Sequence, residues 1–215
     1  MKSIALSLLL LSSIYCFAAD NTNVIAMSDW SLPVGLQDNE LHDQAIRGRL
    51  LIVEGSEPAY GGPKTETHAM TFVELQNVTG ANCGSVEVCF DVMRLNCDLS
   101  DESGKSVPKP AGGAWGGRGP FSPCWVALPY NSTIRLFVNA GSRTPLAVYP
   151  NGEPSCHWSI SPSDTNVYYL SGTLSIFTRT NNAISSMPQS LQQIVYDSHC
   201  KGTLDFPKMK ISAKK

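Results

Sequence analysis

The chain has 215 residues, of which 42% are hydrophobic, 16% are charged and 8% are aromatic, and its formal net charge is −2. This composition excludes a generally disordered chain, and it provides no basic field that would hold nucleic acid or an anionic membrane. The 17 Gly and 14 Pro, together with the low charge, favour a compact protein of strands and turns within a single domain.

Residues 1–18 are predicted to be a cleaved signal peptide. Lys2 supplies a positive start, and an apolar run occupies residues 4–17. Cys16 and Ala18 then place small side chains at positions −3 and −1 of a cut after Ala18. The run is shorter than the roughly 20 apolar residues of a membrane span, and no second such stretch follows. We therefore expect a secreted or periplasmic protein with no transmembrane segment after signal removal.

The first half of the mature chain predicts an irregular segment followed by strands. Residues 19–44 lack a clean period and contain several turn formers, so they are predicted to be an irregular lead-in. Apolar runs predict strands at residues 45–53 and, after a Gly- and Pro-rich break, at residues 70–76. Over residues 86–99 two runs of apolar residues alternate with polar ones, which is typical of half-buried strands and places Cys97 towards the core.

Further strands are predicted after a polar turn. Residues 101–105 contain a glycine available for positive φ and predict a hairpin-like turn. Alternation at residues 134–138 predicts another strand. Residues 167–177 predict one or two more, with Leu174 and Ile176 on the same face.

The C-terminal part completes a fold that we expect to be all-β. Residues 189–196 alone have helical spacing and predict a short helical turn. Residues 203–211 predict the last strand, at a sheet edge because Pro207 lacks a backbone N–H. Seven to nine short strands separated by turns favour an antiparallel β-sandwich. No linker or repeat divides the chain, so residues 45–215 are predicted to form one domain.

Two segments resemble strands of the immunoglobulin-like modules of exported bacterial proteins. The first is Phe72-Val73-Glu74-Leu75-Gln76-Asn77-Val78-Thr79, similar to an early strand and turn, and the second is Tyr168-Tyr169-Leu170-Ser171-Gly172-Thr173, similar to a late strand. The second is also similar to small proteinase-inhibitor-like sandwiches. In pattern the resemblance extends over residues 45–177. The six mature cysteines and the lack of an antibody-like Cys…Trp…Cys spacing depart from it. The resemblance implies an immunoglobulin-like sandwich and no particular activity.

The cysteines predict disulfides. Once Cys16 is removed an even number remains, in an oxidising compartment, and their connectivity is left open. No C-x-x-C occurs, and the adjacent Cys and His residues near positions 156 and 199 form only a weak alternative for a metal site, so we expect no cofactor. The disulfide candidates are Cys83, Cys89, Cys97, Cys124, Cys156 and Cys200.

The sequence lacks the motifs of the common catalytic sites. It contains no Gly-x-Ser-x-Gly and no H-E-x-x-H, and the Gly-rich run at residues 112–119 lacks the G-K-[ST] ending of a phosphate loop. That run is predicted to be a surface loop. Asp98, Asp101 and Glu102 cluster at a predicted turn, where we expect them to be solvated rather than paired for glycoside hydrolysis. An Asx turn or a calcium site is the alternative there.

We therefore expect an exported, non-catalytic β-sandwich that acts by binding or structural association outside the cytoplasm. Its partner would be a protein or a glycan, and Trp115 and Arg118 in the Gly-rich loop are the predicted contact residues. The first alternative is carbohydrate recognition by exposed tryptophans, with Trp30 and Trp115 in irregular segments and the other two in or near the core. The second alternative is an exported hydrolase whose site is assembled from dispersed residues.

The sequence contains two N-x-[ST] sequons, which begin at Asn77 and Asn131. In a eukaryotic secretory pathway they would accept glycans, and in a bacterium they would be ordinary turn residues.

Overall fold

The computed structural model describes residues 23–35, 45–58, 65–80, 85–111, 124–143, 145–148, 157–176 and 202–212. In these ranges ten strands form and no helix does, so they contain no helix able to span a membrane. The strands are β1 (Asn23–Met27), β2 (Ile46–Pro58), β3 (Thr65–Asn77), β4 (Val86–Asp101), β5 (Cys124–Leu128), β6 (Thr133–Ser142), β7 (Leu146–Val148), β8 (Trp158–Ile160), β9 (Val167–Ile176) and β10 (Gly202–Ser212).

The strands form three antiparallel sheets. The first four-stranded sheet has the order β1-β2-β3-β6, the second has the order β10-β9-β4-β5, and β7 pairs with β8. Every pairing is antiparallel. The expectation of an all-β, antiparallel protein is therefore confirmed for the described part of the chain.

The strongest strand predictions are confirmed. The runs at residues 45–53 and 70–76 lie in β2 and β3, and the two runs within residues 86–99 form the single strand β4. Pro207 lies in β10, at the end of its sheet, as predicted. It falls in a register shift between Phe206 and Met209, where a residue without an N–H is readily accommodated.

Other expectations differ from the structure or concern residues that the structure does not describe. The lead-in is not wholly irregular, because β1 forms within it and pairs with β2. Strands β5, β7 and β8 are short, and the periodicity of the sequence does not predict them. The predicted signal peptide at residues 1–18 and the predicted helical turn at residues 189–196 lie outside the described residues.

The main hydrophobic cluster takes side chains from both four-stranded sheets. Leu50 and Val73 contribute from the first sheet, and Leu99, Leu174 and Phe206 contribute from the second. Each of these side chains is at most 3% exposed. Burial of this kind is worth about 1.5–3 kcal/mol for each large aliphatic or aromatic side chain, so the cluster is the main source of stability in the described residues.

The first sheet is buried on both faces near its centre. The sequence of β2 runs Leu50-Leu51-Ile52-Val53 without alternation, which is typical of a strand covered on both sides. Leu50 and Ile52 join the main cluster, whereas Leu51 and Val53 join a second cluster on the opposite face. Met70 and Phe72 of β3 complete that second cluster.

Gly48 provides a test of how closely the two sheets pack. A methyl group at this position would lie 2.8 Å from Phe206 Cε1 and 3.1 Å from Leu204 Cδ1. Gly48→Ala should therefore lower the free energy of unfolding by about 1–3 kcal/mol through overpacking. Urea denaturation measures this change. Gly80→Ala is the control, since a methyl group there meets nothing within 4 Å. Equal losses in the two variants would contradict close packing at Gly48.

Cys97 is a free cysteine and is buried, which corrects the expectation that it forms a disulfide. The expectation that it faces the core is confirmed. If Cys16 is removed, five other cysteines remain, so internal pairing must leave one more cysteine unpaired. The pairing of these five stays a prediction. Cys89 lies in β4 and Cys124 lies in β5, whereas Cys83, Cys156 and Cys200 lie outside the described residues.

Burial raises the pKa of the Cys97 thiol from 9.0 to about 12, and the neighbouring Asp98 charge adds to this shift. The unfolded thiol ionises near 9.0, whereas the folded thiol stays protonated until about pH 12. The contribution of this thiol to the free energy of unfolding is therefore complete below pH 9.0, and it is lost as the pH rises towards 12.

We expect native Cys97 to resist iodoacetamide at neutral pH and to react once urea unfolds the chain. The difference in unfolding free energy between wild type and Cys97→Ala should also shrink above pH 9.0. Peptide mass spectrometry and urea titrations measure the two effects. Rapid labelling of Cys97 in the native protein would contradict its burial.

Candidate functional site

The face of the first sheet that points away from the main core carries a group of charged side chains. Arg47 and Arg49 of β2 lie on it because the residues on either side of each are buried and strand side chains alternate. The register sets Arg47 opposite Gln76 and Arg49 opposite Glu74. It also sets Glu74 opposite Arg135 of β6. With Trp30 these side chains form what we call the Trp30 surface, composed of Trp30, Arg47, Arg49, Glu74, Gln76 and Arg135.

Glu74 fixes two of the three arginines. Its Oε2 pairs with Arg49, and its Oε1 lies 3.0 Å from Nη2 of Arg135. The Glu74 side chain is only 6% exposed, and the side chains of Arg49 and Arg135 are 22% and 30% exposed. A carboxylate buried between two guanidinium groups makes charge-assisted hydrogen bonds to both, so the three side chains hold one another in place.

Trp30 lies in the irregular segment after β1, which follows the edge of β2. Ser28 and Ser31 attach this segment, because their hydroxyl oxygens accept hydrogen bonds from the backbone N–H groups of Leu50 at 3.0 Å and Gly48 at 2.9 Å. Their own N–H groups donate to the carbonyls of the same two residues. Both serines are buried, so Trp30 is supported from each side.

The indole ring of Trp30 lies against two guanidinium groups. The Cζ atoms of Arg47 and Arg49 are 4.6 Å and 4.3 Å from its ring centroid. Cation–π contacts of this kind contribute about 0.5–2 kcal/mol, depending on how far they are desolvated. Nε of Arg47 also donates to Oε1 of Gln76 at 2.8 Å. The ring and the amide together orient the Arg47 guanidinium.

An apolar rim borders the Trp30 surface. The next row across the sheet is Met27, Leu51, Phe72 and Phe137, each opposite the next in register. The inner two are buried, whereas Met27 is 49% and Phe137 is 39% exposed. Phe137 packs edge-on against Phe72 with ring centroids 5.6 Å apart. The face therefore combines oriented cations with exposed apolar side chains.

A second candidate is an open depression of about 700 Å³ beside the turn that follows β4. Asp101 accepts hydrogen bonds from Oγ of Ser103 at 2.6 Å and from the backbone N–H of Lys105 at 2.9 Å, and the first of these chiefly lowers the pKa of Asp101. The hydroxyl of Tyr168 donates to Asp164 at 2.8 Å, which raises the pKa of Tyr168.

These carboxylates serve the two turns. The predicted turn at residues 101–105 is confirmed, and Gly104 has the positive φ of 84° that it requires. The described residues contain no group of three or more His, Cys, Asp or Glu that could hold a metal ion. The depression is lined by Asp101, Glu102, Ser103, Lys105, Ser106, Val107, Pro108, Asn166, Val167 and Tyr168.

The contact residues predicted from the sequence, Trp115 and Arg118, lie outside the described residues. Trp30 lies in an irregular segment, as expected. Trp158 is buried in the main cluster, also as expected, and its Nε1 donates to the carbonyl of Pro108 at 2.9 Å. Within the described part of the chain, Trp30 is half-buried, whereas Trp158 is buried.

Sequence reasoning missed the partners of Trp30. The alternation Arg47-Gly48-Arg49 and the spacing of Glu74 and Gln76 both indicate side chains on one face of a strand. Only the pairing register between β2, β3 and β6 brings them together, and a single sequence does not contain that register.

The chain matches no family model, no curated protein and no solved structure. Its function is therefore inferred from the geometry of the Trp30 surface itself.

Proposed function

We propose that the protein is exported and acts without catalysis, by binding a protein partner outside the cytoplasm through the Trp30 surface. One observation carries the proposal. Two guanidinium groups lie against one indole ring on a regular sheet, and one buried carboxylate fixes two guanidinium groups. Side chains ordered before a partner arrives lose less conformational entropy on binding, which favours affinity.

The residue types on this face are those of protein interfaces. Trp and Arg are enriched among the residues whose truncation weakens interfaces most, and Phe and Met are enriched at interface cores. Trp30 contacts Arg47 and Arg49 on this face, and the exposed side chains of Met27 and Phe137 border it. A partner that covered the whole face would also bury this apolar rim.

The scaffold in this proposal is an immunoglobulin-like β-sandwich. The shared hydrophobic cluster of the two four-stranded sheets supports a face-to-face arrangement. The two segments that resemble immunoglobulin-like modules lie mainly in β3 and in β9, one in each sheet. A rigid scaffold of this kind would fix the Trp30 surface, and the predicted signal peptide would deliver it outside the cytoplasm.

A glycan partner is the alternative, since sugars stack on exposed aromatic rings. At Trp30, however, both guanidinium groups lie within 4.6 Å of the ring centroid. A sugar that stacked there would meet a ring already in contact with two cations. We therefore prefer a protein partner for the Trp30 surface and keep Trp115 and Arg118 as a second predicted contact.

Charge reversal at Arg47 tests the proposal. Proteins from the secreted or periplasmic fraction are passed over the immobilised wild-type protein, and the affinity of each recovered partner is then measured by calorimetry. Arg47→Glu should weaken the partner that uses this surface at least about tenfold, as expected when one partner of a close interfacial charge pair is lost. Lys210→Glu, an equal charge change on an exposed position of β10, should leave that affinity unchanged.

The alternatives give different results in the same assay. If every partner bound wild type and Arg47→Glu equally, the Trp30 surface would not be the binding site. Loss of affinity only in Trp115→Ala/Arg118→Ala would move the contact to the Gly-rich loop. Recovery of a glycan in place of a protein would favour the carbohydrate alternative.

A further inference from the structure

Arg47 and Arg49 are equivalent in position but differ in their partners. They are two residues apart on β2, and both guanidinium groups lie against Trp30. Across the strand pair Arg49 meets the carboxylate of Glu74, whereas Arg47 meets the neutral amide of Gln76. In the described part of the chain no carboxylate pairs with Arg47, so its positive charge is not balanced there.

The geometry of Arg47 suits a carboxylate ligand. Its Nε donates to Gln76, and its Cζ lies 4.6 Å from the centroid of the Trp30 ring. With the described residues, the terminal Nη1 and Nη2 atoms of Arg47 make no hydrogen bond. Two parallel N–H groups of a guanidinium match the two oxygens of a carboxylate.

The charge of the surface favours the same ligand. Three arginines and one glutamate give the Trp30 surface a net charge of +2. Even with Asp29, the exposed acid that precedes Trp30, the net charge is +1. The whole chain has a net charge of −2, so this face is locally opposite in sign to the rest of the molecule.

We propose that the Trp30 surface recognises an acidic segment of its protein partner, with an Asp or Glu carboxylate paired to Arg47 as Glu74 is paired to Arg49. This inference rests on the proposed function and specifies the chemistry of the partner. Apolar side chains further along the same segment would contact Phe137 and Met27, which are exposed and lie two rows of the sheet from Arg47. Electrostatic complementarity of this kind fixes the register of an interface and suppresses wrong partners.

A second copy of the chain in a symmetric dimer does not satisfy the same requirement. A two-fold interface places the same patch on both sides, so two patches of net positive charge would face each other. Like charges that face each other in this way disfavour the contact. The acidic segment is therefore assigned to a different protein.

The test introduces the missing carboxylate within the chain itself. Gln76→Glu places an acid opposite Arg47, as Glu74 stands opposite Arg49, and removes no cation. The probe is acetylated hexaglutamate amide, titrated into ¹⁵N-labelled protein while the Trp30 Nε1–H and Arg47 Nε–H resonances are followed. Wild type should bind in a saturable, salt-sensitive manner, and Gln76→Glu should bind at least about tenfold more weakly.

Three controls separate recognition of a carboxylate by Arg47 from a general effect of charge. Thr203→Glu adds the same charge at an exposed position of β10 and should bind hexaglutamate like wild type. Hexaglutamine should not shift either resonance. Arg47→Lys keeps the charge but loses the planar fork, and it should bind hexaglutamate more weakly than wild type.

Each remaining outcome overturns the inference. Failure of hexaglutamate to bind wild type, or equal binding by wild type and Gln76→Glu, would exclude recognition of a carboxylate by Arg47. Tighter binding of oligogalacturonate would assign the carboxylate to a uronic acid glycan instead of a protein. If a recovered partner still needed Arg47 but tolerated Gln76→Glu, the proposed function would stand while this inference failed.

Discussion

Glu74→Ala should lower the free energy of unfolding by about 2–4 kcal/mol. This loss is somewhat smaller than the loss expected when a fully buried ion pair is broken, because the two arginines keep part of their hydration. The Glu74 side chain is 6% exposed and pairs with both Arg49 and Arg135. Its removal leaves two half-buried guanidinium groups without their counter-ion. They would repel each other, and Arg49 would also lose the partner that holds it beside Trp30.

Urea denaturation of wild type and variant measures the loss. Asp98→Ala is a matched control, since Asp98 pairs with Lys109 at 3.1 Å but both side chains are largely exposed. Removal of such an exposed pair should change stability by no more than about 1 kcal/mol. If Glu74→Ala were as mild as Asp98→Ala, the three side chains would not support one another.

A combined variant separates lost charge pairing from lost packing. Arg49→Met/Glu74→Leu/Arg135→Met replaces the whole group by apolar side chains of similar size. Replacement of buried ion pairs in this way is often neutral or stabilising. We expect it to recover most of the stability that Glu74→Ala loses, because no half-buried guanidinium group is left without its counter-ion.

The sequence predicts those strands whose position depends on one residue or on a short run of apolar residues. The run Leu50-Leu51-Ile52-Val53 belongs to a strand covered on both faces, and its short length and β-branched residues favour a strand over a helix. Pro207 predicted a sheet edge because a missing N–H is tolerated there, and β10 is at an edge. Both conclusions follow from one residue or one short run.

The arrangement of the site depends on distant residues and was not predictable in the same way. Glu74 meets Arg49 and Arg135 across 25 and 61 residues of sequence. Strand β1 was also missed, because its register shifts between Val24 and Ala26 and this interrupts the alternation that would identify it. The free state of Cys97 was missed because an even number of cysteines does not determine which of them pair.

Asn77 provides the second large expected effect, at the end of β3. Its side chain is fully buried, and its Nδ2 donates to the carbonyl of Leu128 at 2.8 Å. Its Oδ1 accepts from the backbone N–H of Thr79 at 2.9 Å and from the Thr79 hydroxyl at 2.6 Å. Because Leu128 ends β5, this amide links the first sheet to the second.

Asn77→Ala should lower the free energy of unfolding by about 2–4 kcal/mol, because buried polar groups of Leu128 and Thr79 lose their partner at once. Asn131→Gly is the matched control. Asn131 begins the other N-x-[ST] sequon but is exposed and has a φ of 56°, which glycine adopts readily. We expect that control to change stability by less than about 0.5 kcal/mol.

The comparison tests the structural role of Asn77. Urea midpoints that fall only in Asn77→Ala would identify Asn77 as a structural residue whose amide is engaged inside the fold. Equal midpoints for the two variants would contradict that conclusion. In that case the link between β3 and β5 would contribute little, and the cohesion of the two sheets would rest on the shared hydrophobic cluster.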